Sequence, residues 1–116
     1  MSRTPALSLL VLLLLALTAC GADAAVVEQA STGTCDDYWN NIDERPAVAR
    51  ELLERGWLSI DDASVLPDDD LVQQFLVALV NRCGGLVQAG NGAADLSDEA
   101  ADIYVNSGTM FRPPEG

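Results

Sequence analysis

The sequence predicts a small all-α domain, a single bundle of four to five helices with one disulfide. Apolar residues recur at helical spacing in every well-patterned segment, and no pair of segments alternates as paired strands would. Removal of a leader of 19 residues leaves 97 of the 116 residues, which is enough for one small domain. We therefore take each helix in order.

The first helix is predicted to start after Thr34. Its hydroxyl can cap the helix, and Asp37 completes an approximate capping box. An apolar stripe follows at positions i, i+3, i+4 and i+7, formed by Cys35, Tyr38, Trp39 and Ile42. This spacing predicts one buried helical face.

The second helix is predicted over residues 46–55, because proline is favoured at the first helical position. Gly56 is expected to end it as a left-handed C-cap. Ser59 and Asp62 then form another capping-box pattern, which predicts a short helix to about Val65.

The longest helix is predicted to open at Asp68-Asp69-Asp70, to reach Cys83 and to end at Gly84-Gly85. One stripe along it consists of Leu71, Phe75, Leu79 and Cys83, with Val72, Leu76 and Val80 beside it. So broad an apolar face predicts the central, most buried helix.

A last helix is predicted to start after Ser97, with Asp98 and Glu99 in its first turn, and to end near Asn106. Residues 86–92 fit either a loop or a brief extended piece.

The N-terminal segment has the pattern of an export leader, with Arg3 followed by an apolar run of 11 residues from Leu7 to Leu17. Leu17-Thr18-Ala19-Cys20 resembles a bacterial lipobox, in which the Cys20 thiol is lipidated and becomes the first residue of the mature protein. A membrane-spanning helix is disfavoured, because 11 residues span roughly 16 Å of a hydrocarbon core of ~30 Å. An ordinary cleaved signal peptide with an incidental cysteine is the other alternative.

These patterns predict an exported lipoprotein of the cell envelope, anchored by lipid and exposed to the periplasm or the cell exterior. The predicted divisions are a signal peptide (1–19), a flexible tether (20–33), a helical domain (34–108) and a C-terminal tail (109–116). Within the tail, Met110 and Phe111 are the candidates for docking on the domain.

Two cysteines remain after Cys20 is set aside, and an exported compartment favours a disulfide between Cys35 and Cys83. A redox or metal pair is the alternative. It is disfavoured because the chain has no C-x-x-C spacing and no histidine. The bond is expected to fasten two antiparallel helices at one end.

The stretch Thr34-Cys35-Asp36-Asp37-Tyr38-Trp39 resembles the opening of the HdeA-like periplasmic acid-stress chaperones, with Pro46 and Cys83 in matching places. The resemblance covers about residues 33–90. It implies a small helical domain with one structural disulfide, a homodimer at neutral pH, and acid-released monomers that hold unfolding clients. This chain differs in having a lipobox, no lysine and a more acidic composition.

The charge balance bears on partners. Without the leader the chain has 18 acidic side chains and five arginines, a net side-chain charge of −13 at pH 7. This charge excludes nucleic acid as a partner and predicts that the domain stands off from anionic lipid on its tether. Below about pH 3 roughly five positive charges remain. Protonation of helix-capping carboxylates in acid lowers the stability of the fold, whereas loss of repulsion between crowded carboxylates raises it. Both effects on stability remain open at the level of sequence.

No catalytic machinery, cofactor site or metal site is predicted. Asp68-Asp69-Asp70 lacks the spaced ligands of a calcium loop and is interpreted as a helix cap. Trp39 and Trp57 are interpreted as core residues rather than as a binding platform.

We therefore expect a non-enzyme of one of two kinds. It is either a lipid-anchored, HdeA-like stress holdase or a constitutively folded envelope module that binds another protein. In both cases the partners are the lipid bilayer, through Cys20 acylation, and a protein partner or client.

Overall fold

The computed structural model describes residues 23–114, and within that range the chain is helical with no strand. Its α-helices are α1 (Ala24–Thr32), α2 (Cys35–Asn40), α3 (Arg45–Gly56), α4 (Asp69–Gln88) and α5 (Leu96–Asn106). A 3-10 turn (Ile42–Glu44) precedes α3, and a π-helical turn (Trp57–Asp61) follows it. The predicted all-α class is confirmed.

Acidic side chains cap three of the five helices and complete the capping box of a fourth. Asp23 accepts a hydrogen bond from the Ala25 amide and Asp68 from the Leu71 amide, while Asp95 caps α5. At α2 the predicted capping box is present: the Thr34 hydroxyl accepts from the Asp37 amide, and the Asp37 carboxylate accepts from the Thr34 amide. The predicted starts of α2 and α4 are therefore confirmed, and α5 starts slightly earlier than expected.

The predicted tether is wrong over most of its length. Residues 24–32 form α1, which packs against α3 and α5 and buries Val26, Gln29 and Ala30. These three residues lie at i, i+3 and i+4, a narrow stripe on an alanine-rich segment of high helix propensity. The domain therefore includes α1, and residues 20–22 lie outside the described range.

Gly56 does not end α3 with a left-handed residue. Its backbone is right-handed helical, and the chain continues through the π-helical turn until Asp62, whose φ is 51°. A Cβ at Gly56 would lie 3.0 Å from the Tyr104 ring, so this glycine permits close packing of α5 on α3. The predicted short helix from Ser59 to Val65 is wrong, because residues 62–68 are not helical.

Gly84-Gly85 does not end α4, which continues to Gln88. A Cβ at Gly84 would lie 2.7 Å from the Trp39 ring, whereas one at Gly85 would meet nothing within 4 Å. The Trp39 ring therefore packs on the bare backbone of Gly84. The ambiguous stretch 86–92 begins as helix and continues as turns.

The core lies between α3 and α4 and is covered by the other helices. Its largest fully buried side chains include Tyr38, Phe75, Leu53, Leu79, Tyr104 and Phe111. Of the predicted apolar face of α4, four residues are buried and three are partly buried: Val72, Phe75, Leu79 and Cys83, and Leu71, Leu76 and Val80, respectively. Ile42, predicted to continue the α2 stripe, is 65% exposed because α2 ends at Asn40.

The predicted C-terminal tail is docked on the core through Phe111. Phe111 is 2% exposed, and its ring meets the Phe75 ring edge-on with centroids 5.1 Å apart. The Trp57 indole N–H donates to the Phe111 carbonyl at 2.6 Å. Met110, the other candidate for docking, remains exposed. The packed domain therefore extends to Phe111.

Candidate functional site

The two cysteines of the helical domain form a disulfide. Cys35 and Cys83 are fully buried, and their Cα atoms are 4.9 Å apart. The bond joins the first residue of α2 to the last turns of α4. Cys83 lies inside α4 rather than at its end, which corrects the expected placement. Cys20, the proposed lipidation site, lies outside the described residues.

Charged contacts join different helices through three arginines. Arg50 of α3 contacts Asp69 at the start of α4. Arg82 of α4 donates to two α5 carboxylates, those of Glu99 at 3.1 Å and Asp102 at 2.8 Å. Each of these junctions therefore depends on an ionised carboxylate.

The third such arginine belongs to the C-terminal segment. Arg112 lies 3.8 Å from the Asp61 carboxylate, which also accepts a hydrogen bond of 2.6 Å from the Tyr104 hydroxyl. Asp61 thereby links the π-helical turn, α5 and the C-terminal segment. Burial, and secondarily the hydrogen bond to Asp61, raises the pKa of Tyr104.

The remaining two arginines act locally. Arg45 donates hydrogen bonds to the backbone carbonyls of Tyr38 and Trp39. Its guanidinium also lies over the Trp39 ring, 5.1 Å from the ring centroid. This contact satisfies carbonyls at the end of α2 and fixes the corner into α3. Arg55 pairs with Glu51 within α3. All five arginines of residues 23–114 therefore contact a carboxylate or a carbonyl.

Glu54 on α3 is a carboxylate whose pKa is raised in the folded domain. Burial raises its pKa, Arg50 opposes that rise, and the Glu51 carboxylate adds to it. Folding therefore favours the protonated form of Glu54. This group contributes stability that is present in acid and is lost as the pH rises through its raised pKa.

The segment after the buried Trp57 exposes large apolar side chains. We name residues 58–66 the apolar segment; its four exposed residues are Leu58 (53%), Ile60 (48%), Val65 (71%) and Leu66 (51%). Sequence reasoning missed this surface, because it assigned part of the segment to a capped helix. The signal was present in the sequence as a cluster of aliphatic residues with no helical period.

The two tryptophans and the Asp68-Asp69-Asp70 run, which were considered as candidate sites, have structural roles. Trp57 is buried, and Trp39 is partly buried on Gly84. Asp68 caps α4, while Asp69 contacts Arg50. Between residues 23 and 114, no three potential metal-ligating side chains of the histidine, cysteine or acidic type are grouped to hold an ion.

No helix among the described residues combines the length and apolar character required to cross a bilayer. Comparison with protein-family models, curated proteins and solved structures found nothing that matches this chain.

Proposed function

We propose that this chain is an exported lipoprotein of the bacterial envelope whose helical domain is an acid-stress holdase. Three sequence observations support the proposal: the lipobox ending at Cys20, the oxidisable pair Cys35 and Cys83, and the resemblance of residues 33–90 to HdeA-like chaperones. The disulfide fits an oxidising compartment.

The observation that carries the acid response is the dependence of helix starts and helix junctions on carboxylates. Aspartates cap α1, α4 and α5 or complete the α2 capping box, and Asp69, Glu99, Asp102 and Asp61 receive the bridging arginines. Hydrogen bonds to ionised groups weaken when those groups are protonated. At about pH 2 carboxylates are generally protonated, and the five described arginines then carry uncompensated positive charge.

The magnitude of this loss is comparable with the stability of a small domain. A helix cap contributes ~1 kcal/mol and an exposed ion pair ~0–1 kcal/mol. The total stability of a domain is ~5–15 kcal/mol. Acid therefore loosens the helix junctions, while the disulfide keeps α2 and α4 linked.

A second candidate function is a constitutively folded module that binds one envelope protein. The observation that favours it is the apolar segment, which is exposed while the domain is folded. Apolar side chains that are exposed in a folded domain are candidates for contact with a partner protein. The two candidates differ in whether acid is required.

A client-aggregation assay tests the holdase. The purified protein is mixed with an acid-labile client, and light scattering is followed after a shift from pH 7 to about pH 2. We expect suppression of scattering at acidic pH only. If scattering is unchanged at every pH while the protein stays folded, the holdase is excluded and the folded module remains.

A separate variant tests the anchor. Cys20→Ala is expected to move the protein from the membrane fraction to the aqueous fraction, because the acyl chains supply the attachment. Ala22→Gly, which retains the cysteine, is the matched control. Membrane attachment of the Cys20→Ala protein would contradict the lipobox interpretation.

A further inference from the structure

We infer that the apolar segment docks a basic amphipathic segment of a partner protein at neutral pH. This inference rests on the second candidate function, the folded module, and names the chemistry of its partner. It does not depend on the acid response.

The apolar segment is anchored at both ends, so its exposed side chains are presented on a folded support. Trp57 before it is 3% exposed, and Pro67 after it is buried. The Ala63 amide donates to the Trp57 carbonyl at 3.2 Å, which closes the loop onto the π-helical turn. Four large aliphatic side chains within nine positions are therefore held outward rather than collapsed into the core.

A shallow apolar groove adjoins Ile60, between the π-helical turn and α5. It has a volume of about 190 Å³, and Leu52, Ala100, Ala101 and Tyr104 contribute to its lining. Arg55 also lines it, with its guanidinium paired to Glu51. Small-molecule pockets usually occupy ~300–1,000 Å³. The groove therefore fits a side chain of a protein partner better than a cofactor or metabolite.

Acidic residues flank the apolar segment and define the charge of its partner. Asp61 and Asp62 lie within it, and Asp68-Asp69-Asp70 follows directly. Arg112 and Arg50 contact Asp61 and Asp69, whereas Asp62 and Asp70 contact none of the five described arginines. An apolar centre with an acidic border is complementary to an amphipathic segment with Lys or Arg on its edges.

The same charge disfavours two other occupants. A second copy of the chain brings like charges together across a symmetric interface, since the chain contains no lysine and only six arginines against 18 acids. An anionic lipid surface repels the acidic border. A cationic protein segment is not repelled by the acidic border.

The test uses the mature protein as it is processed in the cell. It is purified and reconstituted in lipid nanodiscs of zwitterionic lipid at pH 7. The probe is a fluorescent helical peptide with leucines on one face and lysines on the other. A matched peptide carries glutamate in place of lysine. Binding is measured by anisotropy at ~0.05 M and ~0.5 M salt, because screening separates the electrostatic part.

We expect the lysine peptide to bind and the glutamate peptide not to bind, with weaker lysine-peptide binding at high salt. The double variant Val65→Ser/Leu66→Ser should weaken binding about tenfold, because it removes two exposed aliphatic side chains that the peptide would partly bury. Ile42→Ser is the matched control, because Ile42 is equally exposed but lies outside the apolar segment, and it should leave binding unchanged.

Equal binding of both peptides, no binding of either, or full binding by the double variant would each overturn the inference. Tight association of the apolar segment with vesicles, lost in the double variant, would assign the surface to lipid and overturn it as well. Circular dichroism of each variant at pH 7 separates these outcomes from failure to fold. A domain that is unfolded at pH 7 would refute the folded module itself.

Discussion

Gly84 has a role that depends on the absence of a side chain. The Trp39 ring occupies the position that a Cβ at Gly84 would need, at 2.7 Å, while neighbouring Gly85 faces open space. Two adjacent glycines in the same helix thus have different constraints. Gly84 is required by the packing of the Trp39 ring. Gly85 makes no such contact and only lowers the stability of the helix.

Gly84→Ala is expected to destabilise the domain by ~1–3 kcal/mol, because the partly buried Trp39 ring must shift. Gly85→Ala is expected to stabilise it by ~0.5–1 kcal/mol through helix propensity. Urea unfolding of both variants measures the difference. Equal effects of the two substitutions would contradict the proposed contact between Trp39 and the α4 backbone.

Glu54 is the residue at which the pH dependence of stability has a defined sign. Since burial raises its pKa, the ionised form is unfavourable in the folded state, and stability from this group increases as the pH falls through the raised value. Glu54→Gln is therefore expected to raise the melting temperature at pH 7. The advantage should disappear in acid, where wild-type Glu54 is itself neutral.

The matched control is Glu28→Gln, because Glu28 is exposed and its side chain makes no ion pair with a described arginine. Thermal unfolding at several pH values compares the two variants with wild type. A Glu54→Gln protein that is less stable than wild type at pH 7 would show that the Arg50 contact outweighs the burial.

At the scale of elements, the disulfide fixes the shortest helix on the longest. The helix α2 has six residues and cannot be stable alone, since isolated helices below ~12 residues are marginal. The Cys35–Cys83 bond and the Arg45 contacts hold it on α4 and at the corner into α3. The face of α2 that carries Tyr38 is thereby kept in the core.

Replacement of both cysteines by alanine should remove about 4 kcal/mol of stability, the loop-closure value for a bridge across 48 positions. Urea unfolding of the double variant measures this loss. Reducing agent should leave the folded wild type unchanged at neutral pH, because both sulfurs are buried. Rapid reduction of the native protein would contradict that burial.

Helix starts were predictable from sequence where a capping residue and an apolar period coincided, as at Thr34 and Asp68. Helix ends at glycine were not, because Gly56 and Gly84 serve tertiary contacts with Tyr104 and Trp39 that no local pattern reveals. The same limit explains α1, whose weak stripe becomes significant only when α3 and α5 cover it. The arginine bridges between helices are also tertiary features.

At the scale of the whole molecule, α1 changes the expected relation to the membrane. Only two residues separate Cys20 from Asp23, where the packed domain begins, and three residue steps reach at most ~11 Å. With Cys20 acylated as proposed, the acidic domain is held close to the bilayer surface rather than about 20 Å away on a tether. Its acidic surface must then face away from anionic lipid.

The proposed acid response also involves the whole molecule, because arginine–carboxylate contacts join α3 to α4, α4 to α5, and the C-terminal segment to the π-helical turn.

The most direct measurement is far-UV circular dichroism with sedimentation velocity, followed from pH 7 to about pH 2. The proposed holdase predicts a reversible loss of helicity and a change in sedimentation as the pH falls. Helicity and sedimentation that stay constant over the whole range would contradict the account and leave a permanently folded binding module.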